Sequence, residues 1–213
     1  MKIWLFLALT VLIGSRGIAL AGAVVWPIDD QVVEICLPEN ASGSETFAAE
    51  EIQTYLRKMS GVTLPIRRGE PDAGKKAILI GRHPATEALR EGLDDPDHYR
   101  IEARDDRIAL VGGYRPPVTD ARGRVVESDW GILYAAYQLL EDQGVRWLRP
   151  TERGEEVPKS RDLRLPAGRR EFKPVFSLRW GAALFATSSL RSTTPEEDEA
   201  ATLWAVRNRC NVL

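Results

Sequence analysis

The chain has 213 residues, 44% of them apolar and 28% charged, which is enough to bury one domain-sized core in water. Its 29 basic and 31 acidic side chains leave a formal net charge of −2, with the arginines scattered along the chain. That balance excludes a nucleic-acid partner gripped by a basic face. With only Cys36 and Cys210, the chain also lacks the disulfide framework that small secreted domains rely on.

The amino-terminal stretch stands apart. Lys2 precedes the apolar run Ile3 to Ile13, and small residues follow through Ala19-Leu20-Ala21 and Ala21-Gly22-Ala23. A positive start, a short apolar run and an A-x-A site are the parts of a secretory signal peptide. Residues 1–23 are expected to be that signal, cut after Ala21 or Ala23. The mature protein is then secreted or periplasmic and free of the membrane. The alternative is an uncleaved anchor, although the run is short for a bilayer span and Arg16 interrupts it.

Beyond it, Gln31 to Leu37 alternates like a strand and ends at Pro38-Glu39-Asn40. A helix is expected from Ser44, with Ala48, Ile52, Tyr55, Leu56 and Met59 on one face and Gly61 closing it. Val62 to Ile66 reads as a short extended piece, Ala77 to Gly81 as a buried strand and Pro84 to Gly92 as a short helix. Tyr99 to Ala103 and Arg107 to Val111 flank Asp105-Asp106 as a hairpin. Trp130 to Asp142 is the second long helix, with Asp129 as its cap and Gly144 as its stop, and Val145 to Leu148 is a further strand.

From Arg149 to Arg170, charge, Pro and Gly dominate, and the segment reads as a connector with edge pieces at Glu155 to Val157 and Leu163 to Leu165. Phe172 to Trp180 is extended again, and Thr194-Pro195-Glu196 opens a third helix running to about Asn208. The order predicts an α/β (α+β) sandwich: a mixed sheet covered by helices.

Few residues offer chemistry. His83 and His98 are isolated, so neither a metal nor any other cofactor is expected. Gly112-Gly113 leads into a Pro-rich loop and not a helix, which argues against a phosphate cradle. Asp29-Asp30, Asp94-Asp95, Asp105-Asp106 and Glu155-Glu156 read as turn or surface pairs, because neighbours on a strand point to opposite faces. Cys36 reads as a buried thiol, and whether it pairs with Cys210 is left open. Asn40-Ala41-Ser42 fits a glycosylation acceptor by pattern alone.

Several stretches carry a resemblance. Ala48 to Ile52 through Tyr55-Leu56, Met59-Ser60-Gly61 and Leu64-Pro65-Ile66 resemble the opening of the small domain that precedes the barrel in β-N-acetylhexosaminidases and xylan α-glucuronidases. Ala77 to Gly81, Tyr99-Arg100-Ile101 and Ile108 to Gly112 are similar to its next strands. Gly131 to Tyr137 through Leu140-Glu141, with Gly144 to Trp147, is the most specific match and is nearest the α-glucuronidase type. Pro174 to Arg179 resembles the lead-in to the first strand of a (β/α)8 barrel, and Leu203 to Leu213 its first helix running into the second strand.

The resemblance implies three segments: the signal at 1–23, an α/β domain at 24–170, and the truncated start of a catalytic barrel at 171–213. It implies the non-catalytic front domain of a secreted glycoside hydrolase acting on polysaccharide. The remainder of its own barrel would be the partner, the catalytic carboxylates would lie on later strands, and a poly- or oligosaccharide would be the ligand. By the same resemblance Arg179 contacts sugar hydroxyls, although Trp180 stands where that family usually has Gly. A domain-junction ion pair is the other reading of Arg179. If the last segment is an unfinished barrel, Phe176, Leu178, Leu184, Phe185, Leu203 and Trp204 should be poorly covered.

Two other classes stay open. A free-standing carbohydrate-binding module would present exposed aromatics, with Trp26, Trp130, Trp147 and Trp180 as candidates, and a surface protein would have no sugar role. The loop from Tyr114 to Asp129, with Arg122 and Arg124, departs from the resemblance and reads as a solvated insertion.

Overall fold

The computed structural model describes residues 22–119, 125–179 and 194–211. The expected signal, Trp180, Leu184, Phe185, Arg122 and Arg124 lie outside the described residues, apart from Gly22 and Ala23 at the signal's end.

The strands are β1 (Ala23–Pro27), β2 (Val33–Leu37), β3 (Ile66–Arg68), β4 (Lys76–Ile80), β5 (Tyr99–Ala103), β6 (Arg107–Gly112), β7 (Arg115–Thr119), β8 (Val125–Ser128), β9 (Arg146–Trp147), β10 (Glu155–Glu156), β11 (Asp162–Pro166) and β12 (Gly168–Phe172). The helices are α1 (Gly43–Ser60), α2 (Glu87–Arg90), α3 (Trp130–Asp142) and α4 (Pro195–Arg207). Six strands form one sheet in the order β12-β5-β6-β4-β2-β3. Within it β2, β3, β4 and β6 run parallel, and the β5–β6 hairpin and β12 supply the antiparallel edge. The chain is a mixed α/β domain, as its periodicities predict, and the described residues contain no closed barrel.

One face of the sheet makes the main core. Ile35, Ile78, Ile80, Ile101, Ile108 and Leu110 are fully buried there. The buried stripe of α1 (Ala48, Ile52, Tyr55, Leu56, Met59) joins the same cluster, together with Ile132, Ala136, Tyr137 and Leu140 of α3. The stripe on α1 is the one its 3.6-residue spacing predicts. The opposite face carries a smaller cluster of Cys36, Leu79, Ala109 and Val111 with Leu89 and Leu93 from α2 and its exit.

The helix start differs from expectation by two residues. Ser42, not Ser44, caps α1: its Oγ accepts from the Glu45 amide at 3.1 Å, and the Glu45 carboxylate accepts from the Ser42 amide at 2.8 Å. Satisfying two orphan amides reciprocally makes a capping box. Glu45 is also buried and accepts from the Arg82 amide at 2.7 Å, which fixes the turn after β4. Gly81 sits there at φ 66°, where a Cβ would lie 2.2 Å from Glu45 Oε1, so the site takes glycine on both counts. Asp129 precedes α3 without capping it, and its carboxylate instead accepts from the Ser42 and Ser44 hydroxyls, tying the two helix starts together.

Four strands escape the sequence reading: β7 and β8 pair antiparallel within the stretch from Tyr114 to Asp129 that is expected to be a solvated loop, and β1 and β12 are not expected at all. β1 pairs antiparallel with β11, Trp26 opposite Leu163, and β12 pairs with β5, Phe172 opposite Tyr99. The expected strand from Phe172 to Trp180 therefore ends where it was meant to begin, and 173–179 is irregular. Both cysteines are buried and free, which closes the question of their pairing.

Candidate functional site

Among the described residues, two neighbouring places join charged side chains of the last segment to the α/β domain. The first is a groove of about 380 Å³ lined by Asp95, Asp97, Trp130, Phe176, Arg179 and Asn211 among others. Glycines make it possible. The Gly113 amide donates to His98 O and the Gly131 amide to Pro96 O, both at 2.7 Å, so the loop before β5 presses against the start of α3. A Cβ on Gly113 would lie 1.8 Å from Asp95 O, and one on Gly131 2.5 Å from His98 O. Gly112-Gly113 thus serves backbone packing.

Arg179 forms the groove's anchored wall. Its Nη2 donates to Asp97 Oδ2 at 2.8 Å, Nε to Arg209 O at 2.6 Å and Nη1 to Phe176 O at 2.7 Å. The guanidinium also lies 5.6 Å from the centre of the Tyr134 ring. Burial disfavours its charge, but the hydrogen bonds to Asp97 and Tyr134 and the Asp97 charge outweigh that and raise its pKa. Asn211 completes the arrangement. Its amide donates to Arg179 O at 3.0 Å, and its side chain bonds Arg179 N, Asp97 Oδ2 and Ser177 O. Arg179 is thus ion-paired with Asp97, and each of its three guanidinium nitrogens makes a hydrogen bond within the chain.

The second place is the seam between α4 and the domain. Arg207 grips Glu51 through two bonds, Nε to Oε2 at 2.8 Å and Nη2 to Oε1 at 3.0 Å, and reaches Glu155 Oε1 at 3.1 Å. Glu155 also accepts from the Tyr55 hydroxyl and from Lys58 Nζ, each at 2.6 Å. The Trp147 indole donates to Tyr55 Oη at 2.7 Å. Burial works to raise the Glu155 pKa, yet the bonds from Lys58 and Tyr55 and the charges of Lys58 and Arg207 leave it lowered. Next along, Arg209 pairs with Glu141 and donates to Gln138 Oε1 at 3.0 Å and Tyr99 Oη at 3.2 Å.

Glu155 corrects the sequence reading, since it is a half-buried hub and not a surface member of an acidic pair. The other pairs are local. Asp29 Oδ1 accepts from the Gln31 amide, Asp95 Oδ1 from the Asp97 amide, and Asp105-Asp106 lies in the β5–β6 turn. His83 is buried as a turn former, its Nδ1 accepting from the Ala85 amide and its Nε2 3.1 Å from Gly69 O. His98 Nε2 lies 2.8 Å from Glu171 Oε1 without the alignment of a hydrogen bond. Trp26 and Trp147 are core residues and offer no ring to a sugar, whereas Trp130 is half-buried at the groove. Among the described residues no group of three or more His, Cys, Asp or Glu is placed to hold a metal ion, and no helix is long and apolar enough to cross a membrane.

Fold and sites together define a mixed α/β domain whose last segment is fastened by arginines. No family model matches the chain, and no curated protein matches it. Solved structures similar to it are glycoside hydrolases. They include the GH20 β-N-acetylhexosaminidase from Streptomyces coelicolor A3(2), at 15% identity over 75% of this chain and 25% of that one with a TM-score of 0.43. The GH20 exo-β-N-acetylglucosaminidase from Vibrio harveyi gives 13% identity, 74% and 18% coverage and a TM-score of 0.40. A GH138 enzyme targeting pectin rhamnogalacturonan II gives 14%, 69%, 12% and 0.36. The chain spans a quarter or less of the length of each of these.

Proposed function

We propose that this chain is the non-catalytic front domain of an exported glycoside hydrolase, carrying the first strand–helix–strand unit of its barrel, with an α-glucuronidase-like or hexosaminidase-like parent. The observation that supports it most is the bond from the Asn211 amide to Arg179 O. It sets the piece after β12 beside the piece after α4, with α4 as the connection, which is how a (β/α) barrel begins. The side chains on the first piece are uncovered: Val175 is 91% exposed, Phe176 73% and Leu178 69%. Apolar side chains left in water in one short run suit a surface that another body covers. Leu203 and Trp204 are half-buried, so α4 leans on the domain more than an unfinished barrel requires.

The domain's work is to flank the barrel and hold its first elements in place. Arg179, seated in the groove beside Trp130, is the residue through which sugar contact would come. Export rests on Lys2 and the apolar run behind it. Cleavage after Ala21 leaves β1 whole, whereas cleavage after Ala23 removes the bond from the Ala167 amide to Gly22 O.

The test is direct. The purified chain, assayed on a panel of aryl glycosides that includes glucuronosyl and N-acetylhexosaminyl substrates, shows no turnover. Turnover that one substitution within 22–213 abolishes would overturn the reading.

A further inference from the structure

The seam under α4 differs from an ordinary helix-packing contact in what fills it. Ala205 and Val206 are buried there, Trp204 packs partly, and the Trp204 indole and the Asn208 side chain donate to Trp147 O, but the charged fastenings are three arginines. Arg207 reaches Glu51 on α1 and Glu155 on β10, Arg209 reaches Glu141 on α3, and Arg179 reaches Asp97 ahead of β5. The Glu51, Glu155 and Arg207 side chains are 8%, 12% and 14% exposed, so these charges depend on one another and not on water. Removing one partner of such a pair strands the other in a poorly solvated place.

We infer that the segment from α4 to Asn211 is a separately releasable latch, held on the α/β domain at neutral pH by Arg207 between Glu51 and Glu155 and let go in acid as the Glu155 end of that grip is neutralised, with the domain beneath still folded. The inference concerns how the segment is held and stands whether or not a barrel follows.

The surroundings fix the direction of the pH effect. From α1 the Arg207–Glu155 pair faces Glu51, Tyr55 and Lys58, from α3 Tyr137 and from β9 Trp147, with Arg149 and Glu152 at the mouth of the adjoining cleft. The cations here are arginines and one lysine, and burial notwithstanding, the hydrogen bond and charge of Glu51 raise the Arg207 pKa, so the basic side stays charged throughout. On the acidic side Glu155 is the group that decides. A carboxyl lowered in the folded state contributes stability that is fully present above its unfolded value, 4.5 for Glu155, and is lost as pH falls through the folded value below it. The domain also holds buried carboxylates, Glu45 at the start of α1 and Glu34 on β2, but the body of α1 is held on the sheet by Ile52, Leu56, Ile78 and Leu140, whose burial does not depend on pH.

Hydrogen exchange of the whole chain, followed by mass spectrometry at pH 7, 5 and 3.5 and corrected for intrinsic rates, tests this. Peptides covering 199–211 are expected to lose protection by about tenfold or more at pH 3.5, with peptides covering 52–60, the body of α1 beyond Glu45 and Glu51, unchanged. Glu155→Gln should bring the same loss to pH 7, and Arg207→Lys, which keeps the charge but not the two-pronged grip, a smaller one. The inference is overturned if 199–211 and 52–60 lose protection together, or if neither Glu155→Gln nor Arg207→Lys alters exchange of 199–211.

Discussion

The sheet face under α1 and α3 and the seam under α4 are both helix contacts, yet they are built from different material. Beneath α3 lie Ile101, Ile108 and Leu110, all fully buried, and the facing residues on the helix are Ile132, Tyr137 and Leu140. Beneath α4, Ala205 and Val206 are buried as well, but charge is added to area: Glu51 and Glu155 meet Arg207 and, just past the helix, Glu141 meets Arg209. An apolar face is held by area and tolerates changes of pH and salt, while a charged seam depends on geometry and on every partner remaining ionised. The first kind of contact makes a domain, and the second makes an attachment. Both meet at Tyr55, whose ring is in the core while its hydroxyl donates to Glu155 and accepts from Trp147.

The sharpest way to break the comparison is to empty the core. Leu140→Ala should cost about 2–5 kcal/mol and lower the urea midpoint of the whole chain, α4 included. If α4 alone loosened, the distinction between core and attachment would be wrong. Gly113→Ala comes next. Its Cβ has nowhere to go beside Asp95 O, and an overpacking cost of about 1–3 kcal/mol is expected from thermal unfolding. The smallest effect sharpens the picture from outside. Phe176→Ser should leave stability within about 0.5 kcal/mol, since its ring is in water, while reducing self-association measured by light scattering.

How much could be read beforehand follows from the range of the forces involved. α1, α3, α4 and the β5–β6 hairpin were legible because periodicity, caps and turn residues act within a few positions. The cap of α1 slipped from Ser42 to Ser44 because both hydroxyls precede Glu45, and only the fold shows Ser44 turned to Asp129. β12 was illegible: its sequence GRREF has neither alternation nor an apolar run, and its partner β5 lies some seventy residues earlier. Arg170 reads as connector charge and Glu171 as the first residue of the barrel start, but they pair with Asp142 and Arg100 of the domain. The seam was hidden for the same reason, since Glu51 and Arg207 are 156 residues apart. The resemblance points to Arg179, and the fold seats it against Asp97, a partner 82 residues away that no local pattern announces.

The two margins of the six-stranded sheet have a consequence for the protein in concentrated solution. One margin is the three-residue β3, bearing Arg67 and Arg68, and the other is β12, bearing Arg169 and Arg170. Short, cationic margins are poor templates for a strand from a neighbouring molecule, since each added copy would bring like charges into register. Growth of the sheet into fibrils or swapped dimers is thereby discouraged, and crowding leaves Val175, Phe176 and Leu178 as the place where copies would first stick.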